Sequence, residues 1–412
     1  MLKLNCIPND VFEASNTSDT KIKVCGAEIN RRDLVATGRL VVCEYIGKSI
    51  NENKMNLEKY NSRLAAQNVD YASFSKAFRD KKLLFCAAQA YKASGQEMPA
   101  NIGEVKSDLS LMRDPVFLRT MSALDRDILT PLLFRVFDDI SMGGLMQWES
   151  APAFGYKEIE IKSNDVVIFE DTSVGSFNNV TISRLNNKTI TLTPKATAAI
   201  TQIKWTQMFE GDAGDYYNAM IRGLWNKVYA KFAFALKTAK ENQKYMPKKL
   251  TYSSYTSDNW NNLIDDLSAA NGVDANDLLA FGARTALSKV VPTDGTGGAI
   301  LGMQYGLGEK WTTQGHLGNV GGVDLCPIRP VLVPGTQNNL LTKIFPTDEI
   351  YMVAKGGEGN KPMYGVYAEG HPITLTAEPS KTEDFTLEIN MEAMFDIAPM
   401  FASKVGLIKN VA

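Results

Sequence analysis

Between Tyr217 and Leu236 the apolar residues fall at three- and four-residue steps without a break: Tyr217, Met220, Ile221, Leu224, Trp225, Val228, Tyr229, Phe232, Ala235 and Leu236. At 3.6 residues per turn these positions share one side of a helix for about five turns. A stripe that wide has to be covered, so the chain must build a body along most of its length. Asp212 and Asp215 stand at its start, where carboxylates accept from free N–H groups and suit the helix dipole. Met246-Pro247 marks its far limit. Arg222, Lys227, Lys231, Lys237, Lys240 and Lys244 decorate the helix. Residues 195–250 hold ten Lys and Arg against four Asp and Glu, a net of +6 in a chain of −2. Such a helix either presents a solvated lysine face or turns it toward a polyanion, whose phosphates lysines neutralise without reading bases.

The segment before it has the opposite character. Tyr156-Lys-Glu-Ile-Glu-Ile-Lys alternates apolar with charged residues, Val166-Val-Ile-Phe follows, and Val180, Ile182, Ile190 and Leu192 alternate with polar residues around a Leu185-Asn-Asn-Lys turn. This period of two predicts antiparallel strands with one apolar face. The apolar residues are too few for a core of their own, so the hairpin must lie on its own body or on a neighbouring molecule.

Elsewhere the pattern is mixed. Lys21-Ile-Lys-Val reads as a strand, and Arg39-Leu-Val-Val-Cys-Glu-Tyr as a buried one. Residues 52–93 read as helical, with a stripe of Phe74, Ala77, Phe78, Lys81, Leu84, Phe85 and Ala88 and a stop at Gly95. Ser94 to Lys106 reads as a linker. Asp108–Leu124 reads as helical although it contains Pro115, and Ile128–Ile140 is an apolar stretch with Asp138 and Asp139 at its end before the Gly143-Gly144 breaker. A second strong helix starts at Ser257 or Asp258, carries Trp260, Leu263, Ile264 and Leu267, and stops at Gly272. Val273–Leu287 reads as a third, capped by Asp274. Short strands follow at Pro330-Val-Leu-Val, Glu349–Ala354 and Pro372-Ile-Thr-Leu-Thr, then at Phe385–Ala393 and Ser403–Lys409.

Motifs for chemistry are scarce. The chain has 412 residues, two histidines and five cysteines. Gly47-Lys-Ser is not a phosphate-binding loop, because position 42 is Val where that loop needs its first glycine; it reads as a strand-to-helix turn. The glycines at 295, 297, 298, 302, 306 and 308 miss dinucleotide spacing and read as a surface loop. His316 and His371 each stand alone among glycines, without a second His at helical spacing or a nucleophile elbow. Asp138-Asp139 and Asp265-Asp266 read as solvated acids. No catalytic, cofactor or metal site is expected. The odd, scattered cysteines read as free thiols in a reducing compartment. The first residues lack the apolar core of a secretory signal, and no window spans a bilayer, so a soluble chain made in a cytoplasm is expected.

Three segments carry a resemblance: Asp127-Ile-Leu-Thr-Pro-Leu-Leu-Phe-Arg-Val-Phe-Asp-Asp, Leu185-Asn-Asn-Lys-Thr-Ile-Thr-Leu-Thr-Pro, and Gly211-Asp-Ala-Gly-Asp-Tyr-Tyr-Asn-Ala-Met-Ile-Arg-Gly-Leu-Trp-Asn-Lys-Val. In order and spacing they resemble the arm, extended loop and spine helix of the major capsid proteins of tailed bacteriophages, the Hong Kong 97-type fold. The resemblance runs over roughly 115–412. It implies an α+β fold with an N-arm at 111–150, an E-loop hairpin at 151–197, a P-domain at 198–255 and 376–412, and an A-domain at 256–375, after an N-terminal accessory region at 1–110. It further implies a non-enzymatic virion protein, assembled in the host cytoplasm from pentamers and hexamers into an icosahedral shell around packaged double-stranded DNA. Scaffold, portal and cement proteins are the implied partners, and no membrane. Arg222, Lys227, Lys231, Lys237 and Lys240 are the candidate DNA-facing residues of the inner wall. Some relatives cross-link a lysine to an asparagine. Lys157, Lys162 and Lys188 lie in the hairpin here, but no partner asparagine matches. Two other readings stand beside this one: an encapsulin-like nanocompartment shell, and an enzyme with its glycine-rich loop over a site near His316.

Overall fold

The computed structural model describes residues 18–52, 70–139, 146–152, 154–161, 188–241, 246–291, 315–328, 330–333, 339–355, 361–369, 373–379, 386–399 and 404–411. The elements run β1 (Lys21–Val24), β2 (Ala27–Asn30), α1 (Arg31–Glu52), α2 (Tyr71–Ser94), α3 (Ile102–Ser107), α4 (Pro115–Asp139), β3 (Met146–Pro152), β4 (Lys157–Ile161), β5 (Lys188–Leu192), β6 (Ala196–Lys204), α5 (Trp205–Glu210) and α6 (Ala213–Glu241). After them come β7 (Thr251–Tyr252), α7 (Ser257–Asn271), β8 (Leu278–Gly282), β9 (Asn319–Val320), β10 (Val323–Pro327), β11 (Ile350–Ala354), β12 (Met363–Glu369), β13 (Ile373–Pro379), β14 (Thr386–Pro399) and β15 (Val405–Ile408). The class is α+β. Two units divide the chain: Met1–Ile140 with Lys195–Trp225 and Gly370–Phe395, and Ser141–Pro194 with Asn226–Glu369 and Asp396–Ala412.

In the first unit α1, α2 and α4 pack together, and β13 lies against α4. The first nine residues of β14 run between β13 and β6, antiparallel to both. Arg39–Tyr45, expected as a strand, is helical. Its Val41-Val42 pair suggested a strand, but Leu34, Val35, Gly38, Arg39, Val41 and Val42 are buried at helical spacing. Tertiary packing overrides β propensity here. Gly47-Lys-Ser accordingly lies inside α1 rather than at a strand-to-helix turn. Helix α2 stops at Gly95, whose φ of 72° is left-handed. Its inward face is one residue out of phase with the expected stripe: Lys81 and Ala77 are exposed, and Lys82 points inward. The expected linker holds α3, which Asn101 caps by accepting from the Glu104 N–H at 3.1 Å. Most of Asp108–Leu124 and of the apolar stretch Ile128–Ile140 form one helix, α4. Pro115 sits in the first turn, where its missing N–H costs nothing, and α4 continues through Pro131. Asp114 Oδ1 caps it, accepting from the N–H groups of Val116 and Phe117 at 2.8 Å.

The second unit is built on a six-stranded mixed sheet, ordered β7-β15-β11-β8-β10-β9. Trp260, Leu263, Ile264 and Leu267 of α7 pack with Leu278, Ala280, Ile350 and Met352 of β8 and β11. The alternate residues Phe281 and Tyr351 stack at 5.5 Å between ring centres, and Phe281 meets Phe232 of α6 at 5.9 Å. The period of two thus gives this sheet a helix on either face. Val273–Leu287 is no third helix: Ala275–Asp277 is a single tight turn and Leu278–Gly282 is a buried central strand, with a helical turn at Arg284–Leu287. Leu and Ala favour helix weakly, and burial on both faces of a sheet outweighs that preference. Among the described residues Pro330–Val333 forms no named strand and contributes the Leu332–Lys343 bridge. Gly272 caps α7 with φ 62°, as expected. Strands β3 and β12 pair in parallel, with Trp148 opposite Gly365.

Helix α1 approaches its neighbours closely at Gly38. A Cβ there would lie 2.5 Å from Ile128 Cδ1 and 2.9 Å from the Phe78 ring. Gly38→Ala is expected to destabilise the fold by about 1–3 kcal/mol through overpacking. A lowered urea midpoint with an unchanged slope would show this; an unchanged midpoint would refute the packing argument.

Candidate functional site: the long helix and the hairpin base

Helix α6 is pinned at its start by groups from α1 and α2. Asp212 Oδ1 accepts from the Gly214 N–H at 2.9 Å, from Ser75 Oγ at 2.8 Å and from the Tyr71 hydroxyl at 2.9 Å. The Tyr45 hydroxyl donates to Asp215 at 3.0 Å, and Arg79 donates to the Gly211 carbonyl at 2.8 Å. The expected acidic start is therefore a docking point as well as a cap. One turn on, the buried Tyr217 hydroxyl donates to Asp125 Oδ1 at 2.6 Å. Lys82 pairs with the same carboxylate and donates to the Tyr217 oxygen at 3.1 Å. Burial and the Asp125 charge together hold Tyr217 protonated, far above its ordinary pKa. Burial pushes the neighbouring Cys86 thiol up to about 12, which leaves it unreactive.

This network went unread in the sequence. Its signal was present: Asp125 is a carboxylate inside the apolar stripe Met121, Leu124, Ile128 and Leu129, and it is 1% exposed. A charge in that position needs a partner.

The five candidate DNA-facing residues have different surroundings. Arg222, Lys227 and Lys237 are exposed, and Lys237 pairs with Glu241 at 3.9 Å within the helix. Lys231 is half-buried and pairs with Asp396 at 3.6 Å. Lys240 pairs with the buried Glu349, which also accepts from the Tyr351 hydroxyl at 2.6 Å. At about 100° per residue the five spread over roughly half of the helix circumference. Between them Phe234 stands 70% exposed, beside a concavity of about 390 Å³ that Ile344, Phe345 and Pro346 also line.

The hairpin is present at its base. β4 and β5 pair antiparallel with Ile159 opposite Ile190, as a separate two-stranded sheet. Among the described residues its buried side chains, Ile159 and Leu192, join Ala151, Tyr364 and Val366 in one cluster. Lys157 reaches Glu149 of β3 at 3.6 Å. Val166–Phe169, Lys162, Val180, Ile182 and the Leu185–Lys188 turn lie outside the described residues or their described side chains, as do the glycine-rich loop at 295–308, His371 and the side chains of Asp138 and Asp139. Asp266 of the other acidic pair accepts from the Tyr252 hydroxyl at 3.2 Å and pairs with Lys249 at 3.6 Å.

His316 is buried, its Nδ1 has no hydrogen-bond partner among the described residues, and burial together with the Arg284 charge lowers its pKa. Among the described residues no three His, Cys, Asp or Glu gather as a metal site, and no helix is long and apolar enough to cross a membrane.

No protein-family model matches the chain, and no curated protein does. Solved structures similar to it include the capsid of a native GTA particle, at 11% identity and TM-score 0.43, covering 66% of this chain and 91% of that one. The structure of Microbacterium phage Oxtober96 matches at 10% identity and TM-score 0.43, covering 64% and 89%. A virus-like particle from Pyrococcus furiosus matches at 9% identity and TM-score 0.37, covering 68% and 96%.

Two predictions come from these surroundings. Asp125→Ala strands the Lys82 ammonium in the interior and is expected to cost about 3–5 kcal/mol, read from urea unfolding; a loss below about 1 kcal/mol would mean the pair is solvated. For His316, the unfolded chain takes up a proton near pH 6.5 while the folded chain resists to lower pH, so folding stability falls as pH drops below 6.5. His316→Gln is expected to flatten the melting temperature's decline between about pH 6.5 and 5; an unaltered slope would assign that decline to other groups.

Proposed function

We propose that this chain is a capsid shell protein of the Hong Kong 97 type, whose copies form pentamers and hexamers that close as an icosahedral shell around packaged double-stranded DNA. The observation that carries the reading is the two-stranded sheet β4–β5. Among the described residues it joins a cluster of five buried residues, to which it contributes Ile159 and Leu192. A sheet of two strands is marginal alone, and a neighbouring subunit supplies the missing cover. Closed symmetric shells need such obligate contacts, typically about 2,000–5,000 Å². The order of hairpin, 29-residue helix, mixed-sheet unit and final long strand supports the same reading.

In this reading residues 111–150 are the N-arm, 151–197 the E-loop, 198–255 and 376–412 the P-domain with α6 as its spine, and 256–375 the A-domain. Residues 1–110 are an accessory region. Its helices α1 and α2 hold the start of α6, which argues for a resident part of the subunit. The exposed Arg222, Lys227 and Lys237 offset phosphate charge, whereas Lys231 and Lys240 serve internal carboxylates.

Electron microscopy of the expressed full chain, alone and with a scaffold partner, is expected to show closed shells of uniform diameter. Monomers and small oligomers in both preparations would overturn the proposal. The charge assignment is tested separately by the salt dependence of binding to double-stranded DNA. Lys227→Ala and Lys237→Ala are each expected to lower the slope of log K against log salt by about 1, and Lys231→Ala to leave it unchanged. Equal slopes for all three would remove the DNA-facing role while leaving the shell.

A further inference from the structure

Strand β6 has β14 on one side and, among the described residues, no strand on the other. Its pairing runs from Ala196 opposite Met394 to Lys204 opposite Thr386 without a skipped residue, so no bulge twists the free edge away. From Ala196 to Ile203 it holds no charge and no proline. None of its nine residues is buried, and Ile200 at its centre is 68% exposed. Native edge strands are ordinarily blunted by lysine, proline, a bulge or a covering element. Over these eight residues β6 has none of the first three, and its exposure shows no cover.

We infer that β6 is a pairing edge for β6 of a second copy of this chain. An antiparallel pair related by a two-fold axis normal to the sheet sets each residue opposite one whose number gives a constant sum, with a single residue facing itself. The axis at Ile200 brings all nine residues into the ladder. It opposes Ala196 with Lys204, Thr197 with Ile203, Ala198 with Gln202 and Ala199 with Thr201. Each strand's largest exposed apolar side chain then meets its own image and leaves water. The two Lys204 ammonium groups stand at opposite ends, about 27 Å apart along the strands, so no like charges face one another. A charged or proline-bearing partner strand would fit this edge less well than its own copy does. The joined sheet runs β13-β14-β6 and then the same strands of the second copy in reverse order.

The inference does not depend on the shell reading, since edge pairing needs only two chains. Full-length Ile200→Cys and Gln202→Cys are oxidised under mild conditions, with the parent chain and its five native cysteines as baseline. Facing positions in a ladder are about 5 Å apart between Cβ atoms, within reach of a disulfide. The two 202 positions are offset by about 13 Å along the strands, beyond that reach. The expected result is a covalent dimer for most of the Ile200→Cys chain and baseline cross-linking for Gln202→Cys. Ile200→Lys, a surface change that preserves the far-ultraviolet dichroism, is expected to weaken self-association at least tenfold in sedimentation equilibrium. Cross-linking of Ile200→Cys at baseline, equal cross-linking at both positions, or self-association indifferent to Ile200→Lys would overturn the inference. Specific Ile200→Cys dimers without shells would refute the shell and keep the edge; shells that form normally with Ile200→Lys and no Ile200→Cys dimer would do the reverse.

Discussion

Covering the apolar side of α6 is the constraint on which the rest of the structure depends. Tyr217, Ile221, Leu224 and Trp225, in the stretch of the helix that belongs to the first unit, are buried, as are Val228, Phe232, Ala235 and Leu236 in the stretch that belongs to the second. One helix thus contributes buried residues to the stretch assigned to each unit. In the first, hydrogen bonds to Asp212 and Asp215 fix the helix start, and the Asp125–Lys82–Tyr217 network fixes its depth. In the second, Phe232 meets Phe281 and Phe345 against the sheet. A buried charge pair adds little net stability over an apolar substitute, but removing either partner is costly. Such a pair therefore rejects alternative packings more than it strengthens the chosen one.

Electrostatics is likewise local. The net charge of −2 averages over a helix rich in lysine, and that richness itself resolves into separate roles. Lys231 and Lys240 complete ion pairs with Asp396 and Glu349, whereas Arg222, Lys227 and Lys237 face solvent. Only the exposed group is available to a polyanion, because an ammonium already bound to a half-buried or buried carboxylate would leave that carboxylate unpaired if it turned away.

Legibility followed the strength of the periodic signal. Helices α6 and α7, the stop at Gly95, the cap at Gly272 and the base of the hairpin could be read because each rests on residues close in sequence. Arg39–Tyr45 and Val273–Leu287 were misread in opposite directions, since a run of a few apolar residues fits a buried helix or a buried strand equally well. Strands β3, β6 and β12 carried too little alternation to be seen. Of the candidate site, the lysines were legible as charges but their partners were not: Asp396 and Glu349 lie more than a hundred residues away along the chain.

By itself, then, the sequence determined that a long amphipathic helix exists, that a charged hairpin precedes it, and that the chain holds two histidines and five scattered cysteines. These follow from local spacing and from composition. Only the tertiary structure decided that Lys82 rather than Lys81 turns inward, that Leu278–Gly282 is a central strand, and that β6, uncharged from Ala196 to Ile203, pairs on one side only among the described residues. Those outcomes depend on which distant segments meet, and burial against a distant partner is worth more free energy than the local preference it overrules.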